Sequence, residues 1–216
     1  MDKITKNRLI GIAKKNISGS DPSHDIEHAL RVLALSEKIA KVEKADMDII
    51  VPAALFHDIV NYPKNHLKRL HSQEESAIFT KKVLKKIKLF PKEKIEKVCE
   101  CIRYCSFSKN LSPGFIEAMI LQDADGLEAM GAISVMRTFS SAGLMKKSFY
   151  NYNDPFCSRR KPDDSRYALD LFLTRLMVIQ KRLHTKSAKK MSEKRMDFLR
   201  LFLKELQSEL SETYGK

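Results

Sequence analysis

The sequence predicts an all-α fold, and two observations carry that expectation. Glycine and proline number only seven each in 216 residues, too few for a chain of many short strands and tight turns. Apolar residues also recur at helical spacing along segments joined by short polar connections. A hydrophobic share of 43% and a charged share of 31% describe a globular chain with enough apolar residues for a real core.

The first helix is expected over about 2–18, with Leu9, Ile10, Ile12, Ala13 and Ile17 on its apolar side. Ser18-Gly19-Ser20-Asp21-Pro22 breaks it, and Asp21 or Ser23 is placed to cap the next helix. That second helix runs to about 43 and carries His28, Val32, Leu35 and Ile39 as one inward stripe. A third, at about 46–59, is apolar nearly all round. Tyr62-Pro63-Lys64-Asn65 reads as a loop. Helices follow at about 70–88, 92–105 and 113–137, the last rich in Ala and Met. The stretch 140–164 is irregular, and a loop of that length is often functional. Helices at about 165–183 and 185–213 close the chain. There is no internal repeat. One domain over 1–216 is expected, with its core at about 20–140 and the helices of 165–213 packed on it.

No apolar run approaches the roughly 20 residues that span a bilayer, and Met1–Lys6 opens a mixed charged segment. The expected location is therefore the cytoplasm, with no membrane partner. Cys99, Cys101, Cys105 and Cys157 match no common zinc spacing and read as reduced thiols. The net charge of +13 favours polyanionic partners. A phosphorylated small molecule is preferred over nucleic acid, because no aromatic-interleaved basic motif accompanies the charge.

The chemistry concentrates in a few residues. His57 and Asp58 stand together at the end of Val51-Pro52-Ala53-Ala54-Leu55-Phe56. A charged Asp there is costly unless compensated, and a cation is one compensation. The alternative is that His57 merely caps the helix C-terminus. His28 lies on the inward stripe, with His24 four residues before it and Arg31 three after. Two histidines and an arginine on one inward face suit a cleft for metal and phosphate better than a plain core. Asp123 and Asp125 interrupt an apolar, Ala-rich helix. They point roughly 200° apart, so one is expected as a ligand and the other as a support for a ligand or water. Imidazole with carboxylate suits Mn, Fe, Co, Ni or Mg. His71 is either part of this chemistry or the start of the fourth helix. His66 and His184 read as surface residues.

Together, His24-Asp25-Ile26-Glu27-His28-Ala29-Leu30-Arg31-Val32, Ala54-Leu55-Phe56-His57-Asp58-Ile59 and Leu121-Gln122-Asp123-Ala124-Asp125-Gly126-Leu127 resemble the HD-domain phosphohydrolases, in order and in spacing. Within that superfamily the chain is similar to a bacterial and archaeal branch of small single-domain nucleotide phosphohydrolases. His71-x4-Ser76-Ala77, Ser106-Phe107-Ser108, Gly131-Ala132-Ile133 and Thr185-Lys186-Ser187-Ala188 with Arg195 extend the likeness over nearly the whole chain. The resemblance implies a helical bundle around a divalent metal held by His28, His57, Asp58 and Asp125. It favours Asp125 over Asp123 as ligand. Two positions depart from the pattern: Cys105 stands where relatives usually have His, and Gly126 where they usually have Arg.

The expected reaction is metal-assisted hydrolysis of a phosphoester or phosphoanhydride, with a (d)NMP or (d)NTP as the implied substrate. Asp58 takes a proton, and Asp123, His24 or His71 serves as acid, base or phosphate contact. Arg31 offsets transition-state charge. The alternatives are a cyclic or linear phosphodiesterase using the same metal, and a non-catalytic basic nucleic-acid-binding protein with a structural metal. The sequence shows no P-loop, and oligomeric state is unspecified.

Overall fold

The computed structural model describes residues 1–17, 23–62, 66–105 and 111–215. The breaker at 18–22 with the proposed cap Asp21, the loop residues 63–65, and Ser106-Phe107-Ser108 lie outside the described residues. Among the described residues the protein is all-α, and the one pairing of β type is an isolated bridge between Ser148 and Tyr167. No described helix is long and apolar enough to cross a membrane.

The chain groups into two compact units. The first comprises Met1–Asp125 with His184–Ala188. Its helices are α1 (Lys3–Asn16), α2 (Ile26–Glu43), α3 (Met47–Phe56), α4 (Ser72–Lys86), α5 (Ile95–Tyr104) and the greater part of α6 (Ile116–Glu128). Short 3₁₀ segments, Leu67–His71 and Lys92–Lys94, lead into α4 and α5. The expected helices at 70–88 and 92–105 thus begin with tighter 3₁₀ turns.

Helix α3 is the centre of this unit. Every residue from Ile49 to Phe56 is buried, and α3 packs against α1, α2, α4 and α5. A helix apolar on all sides has no solvent face to offer, so it takes the middle of the bundle. Asp46 caps its start, accepting from the Asp48 amide at 2.8 Å. The helix stops at Phe56, three residues earlier than the apolar run suggested, and leaves His57 and Asp58 in the following turn.

Helix α2 is capped by Asp25, whose Oδ1 accepts from the His28 amide at 2.9 Å. The expected cap Ser23 is corrected accordingly; its hydroxyl instead lies 3.2 Å from His24 Nδ1. Asp25 outcompetes it because its carboxylate accepts from the third residue on, the usual reach of an N-cap. His24 consequently precedes the helix and does not sit one turn back along it.

The second unit comprises Gly126–Leu183 and the chain from Lys189 onward. It contains α7 (Ala132–Leu144), α8 (Asp170–Thr174), a 3₁₀ segment Leu176–Arg182 and most of α9 (Lys186–Tyr214). The single helix expected over 113–137 is two, α6 and α7. Gly131 separates them with φ +78°, a conformation that L side chains rarely adopt. The expected helix at 165–183 is likewise shorter and partly 3₁₀. Between α7 and α8 the chain is irregular yet heavily bonded. Asp154 accepts from the amides of Ser158 and Arg159 at 2.8 Å each. Arg160 forms a two-pronged ion pair with the fully buried Asp170, Nη2 donating to Oδ1 at 2.8 Å.

Candidate metal centre

The site is built where the C-terminal end of α3, the first turn of α2 and the middle of α6 meet. His57 is the C-cap residue of α3. Its Nδ1 lies 2.8 Å from the Ala54 carbonyl oxygen. A carbonyl only accepts, so Nδ1 carries the proton and the neutral ring presents a lone pair at Nε2. That Nε2 is buried and has no hydrogen-bond partner among the described residues. Leaving such an atom unsatisfied costs about 1–3 kcal/mol, so a ligand for it is expected.

The atoms near that nitrogen are of the kinds that could hold a metal ion. His57 Nε2 lies 3.6 Å from Asp58 Oδ2. His28 Nε2 lies 3.9 Å from the same oxygen and 3.8 Å from Asp125 Oδ1. One ligand atom each of His28, His57 and Asp125 fall within 4.8 Å of one another. These separations are too long for hydrogen bonds. They match two ligands of a common ion, since bonds of about 2.1 Å put neighbouring ligand atoms about 3–4 Å apart. Both histidines are buried at 1% exposure, whereas the Asp58 and Asp125 side chains keep 25% and 22%. The cluster is therefore walled by imidazole and open on its carboxylate side. The nitrogen and oxygen donors present fit a divalent ion of borderline or hard character.

The turn holding Asp58 is fastened from α4. Ser76 Oγ accepts from the Val60 amide at 3.1 Å and lies 3.3 Å from the Val60 carbonyl oxygen. His24 stands beside the cluster, its ring edge-on to His28 with centroids 5.7 Å apart. Arg31 is half-buried on α2, three residues beyond His28.

Asp123 is not among the clustered ligand atoms. It is fully buried, and its oxygens accept from the His184 amide, the Thr185 amide and the Thr185 hydroxyl at 2.7–2.8 Å. Burial pushes its carboxyl above the usual range, only partly offset by these donors. His184, expected as a surface residue, is half-buried, and its Nε2 lies 2.7 Å from Gln122 Oε1. Its neighbour Thr185 belongs to the anchor of Asp123, so the segment does structural work beneath the site. No local pattern signals a contact 62 residues apart; the only hint was the Thr185-Lys186-Ser187-Ala188 element. His71 is exposed at the junction of a 3₁₀ segment with α4 and lies outside the cluster. His66 is exposed, with its ring stacked on Tyr62.

Cys105 is buried, and its thiol is pushed well above its ordinary value, first by burial and then by the Asp125 and Asp58 charges. It is thus close enough to the cluster to feel both carboxylates. Cys99 and Cys101 are buried, Cys157 is half-buried, and all four thiols are free.

Comparison with known proteins supports the fold. The HD domain family matches residues 25–130. YpgQ of Bacillus subtilis is 28% identical over 200 residues, covering 90% of this chain and 88% of its own. The crystal structure of YpgQ in complex with ADP superposes with a TM-score of 0.71 at 27% identity, over 94% of this chain and 97% of that one. Lin1889 of Listeria innocua gives a TM-score of 0.71 at 28% identity, over 98% of each chain. A predicted HD superfamily hydrolase from an uncultured Thermotogales bacterium gives 0.61 at 26%, over 94% and 91%.

Proposed function

We propose that this chain, whose residues 25–130 match the HD domain family, is a metal-dependent phosphohydrolase that cleaves a phosphoester or phosphoanhydride of a nucleotide. The observation that carries this reading is the meeting of His28, His57 and Asp125, with Asp58 Oδ2 3.6 Å from His57 Nε2 and that nitrogen buried without a hydrogen-bond partner among the described residues. In this reading those four residues hold the ion, and the whole chain from 1 to 216 serves one activity. The ADP bound to YpgQ supports a nucleotide as the ligand here.

A bound divalent ion supplies Lewis acidity toward a phosphoryl oxygen and lowers the pKa of water. The chain supplies the rest. Asp58, on the open side of the cluster, accepts the proton of the attacking water. His24, edge-on to His28, is the acid–base group for the departing oxygen. It is preferred to Asp123, whose oxygens are engaged by His184 and Thr185, and to exposed His71. Asp123 instead anchors α6, which carries Asp125, and so orients that ligand from behind. Arg31 offsets charge on the phosphoryl group.

The test is phosphate and pyrophosphate release from a panel of nucleotides, with Mn, Co, Ni and Mg supplied in turn, beside Asp58→Ala. Release that requires a metal and vanishes in the variant is expected. Cleavage of diesters alone would redirect the assignment to a phosphodiesterase. Absence of turnover from folded, metal-loaded protein would favour a binding protein.

A further inference from the structure

The outer side of α9 carries exposed residues along its length. This helix has 29 residues, so it is about 43 Å long at 1.5 Å per residue. Ala188, Ser192, Met196 and Leu199 are buried along one side. Away from them, Lys190, Lys194, Phe198, Leu201, Glu205, Glu209 and Glu212 are all exposed. At 100° per residue these seven fall within an arc of about 100°, a single stripe.

The stripe has an order that solubility alone does not require. It is basic before Phe198 and acidic after Leu201, with these two apolar residues at its middle, 40% and 54% exposed. We propose that α9 packs antiparallel against α9 of a second copy of this chain, about a two-fold axis between Phe198 and Leu201. An isologous contact places each residue against its mirror position along the helix. Phe198 then meets the partner's Leu201, Lys194 meets the partner's Glu205, and Lys190 meets the partner's Glu209. Every charge in these pairs meets its opposite, twice over by symmetry. A wholly acidic partner would match only the Lys190–Lys194 half, and a wholly basic one only the Glu205–Glu212 half. The pattern is self-complementary, which singles out a second copy.

The test is sedimentation equilibrium of the full chain and of two charge-reversal variants. Wild-type protein is expected to dimerise at micromolar concentration. Lys194→Glu and Glu205→Lys each place like charges together twice, and each should weaken association roughly tenfold or more. Mixed in equal amounts, the two variants should form a heterodimer, because each supplies the charge the other lost. Leu201→Lys should also dissociate the pair, with helicity retained by circular dichroism. Three results would overturn the proposal: a wild-type monomer at every concentration, a dimer indifferent to both charge reversals, or a mixture that stays monomeric.

Discussion

At His57 one ring is placed to perform two tasks. Its Nδ1 proton satisfies a carbonyl in the last turn of α3, and that bond fixes the tautomer that leaves Nε2 as a lone pair. Helix capping and metal binding, alternatives in the sequence, are thus compatible in one side chain. The same logic applies at Asp123, where Thr185 donates through both its amide and its hydroxyl. Thr185→Val keeps the shape but removes the hydroxyl donor from a fully buried carboxylate. A loss of about 1–3 kcal/mol is expected, read as a lower midpoint in urea; an unchanged midpoint would deny Asp123 its anchoring part. The cysteines make a further residue-level prediction. Cys157 is pushed up to about 11, chiefly by burial, and Cys99, Cys101 and Cys105 are raised as well, in each case first by burial. Near neutral pH, Cys157 holds about a hundredfold less thiolate than an ordinary thiol. Alkylation of native protein at pH 7.5 should therefore be slow at all four positions, becoming rapid only on denaturation.

At the scale of elements, the segment between α7 and α8 is held by an ion pair that depends on charge. Asp170 is opposed by its own burial, yet the Arg160 guanidinium and the Asp163 amide outweigh this and keep its carboxyl below the ordinary range. A depressed carboxyl stabilises the fold above the unfolded value, near about 4, and that contribution is lost as pH falls through the folded value. Arg160→Met leaves the buried carboxylate without its cation, at a cost of about 3 kcal/mol at pH 7. The wild type should lose stability below about pH 4, while the variant, lacking the pair, should have a shallower acid dependence. Equal melting temperatures at pH 7 would contradict this.

The segment also illustrates what a sequence can reveal. Its irregularity was legible from Asn151-Tyr152-Asn153-Asp154-Pro155 and Lys161-Pro162-Asp163-Asp164, but its internal bonding was not, because several nearby donors compete for Asp154 and Asp170 and only the folded loop selects among them. Helix α3 was legible because its residues are apolar all round. The break at Gly131 was concealed by the Ala- and Met-rich run on both sides of it. In the structure a Cβ at Gly131 would meet Arg195 Cγ at 3.2 Å, besides the positive φ. Gly126 faces Ile179 and Leu183 side chains, which a Cβ would meet at 3.2 and 3.4 Å. Apolar packing thus occupies the space beside Gly126.

At the scale of the whole molecule, a chain with a net charge of +13 collects a few carboxylates and imidazoles at one point. The clustered residue types were readable because each falls in a short local pattern, and the fold brings those patterns together. The residues that hold them in place were less readable, because Ser76 and Thr185 act across the fold. The account rests on the claim that this cluster binds a divalent ion and that hydrolysis depends on it. The most direct measurement is nucleotide hydrolysis by chelator-treated protein as Mn is titrated back, for wild type, Asp58→Ala and Asp125→Ala. The account predicts no turnover before addition, saturable recovery in the wild type, and a loss of about a thousandfold or more in both variants. Turnover that persists in chelator, or that survives removal of either carboxylate at the wild-type rate, would contradict it.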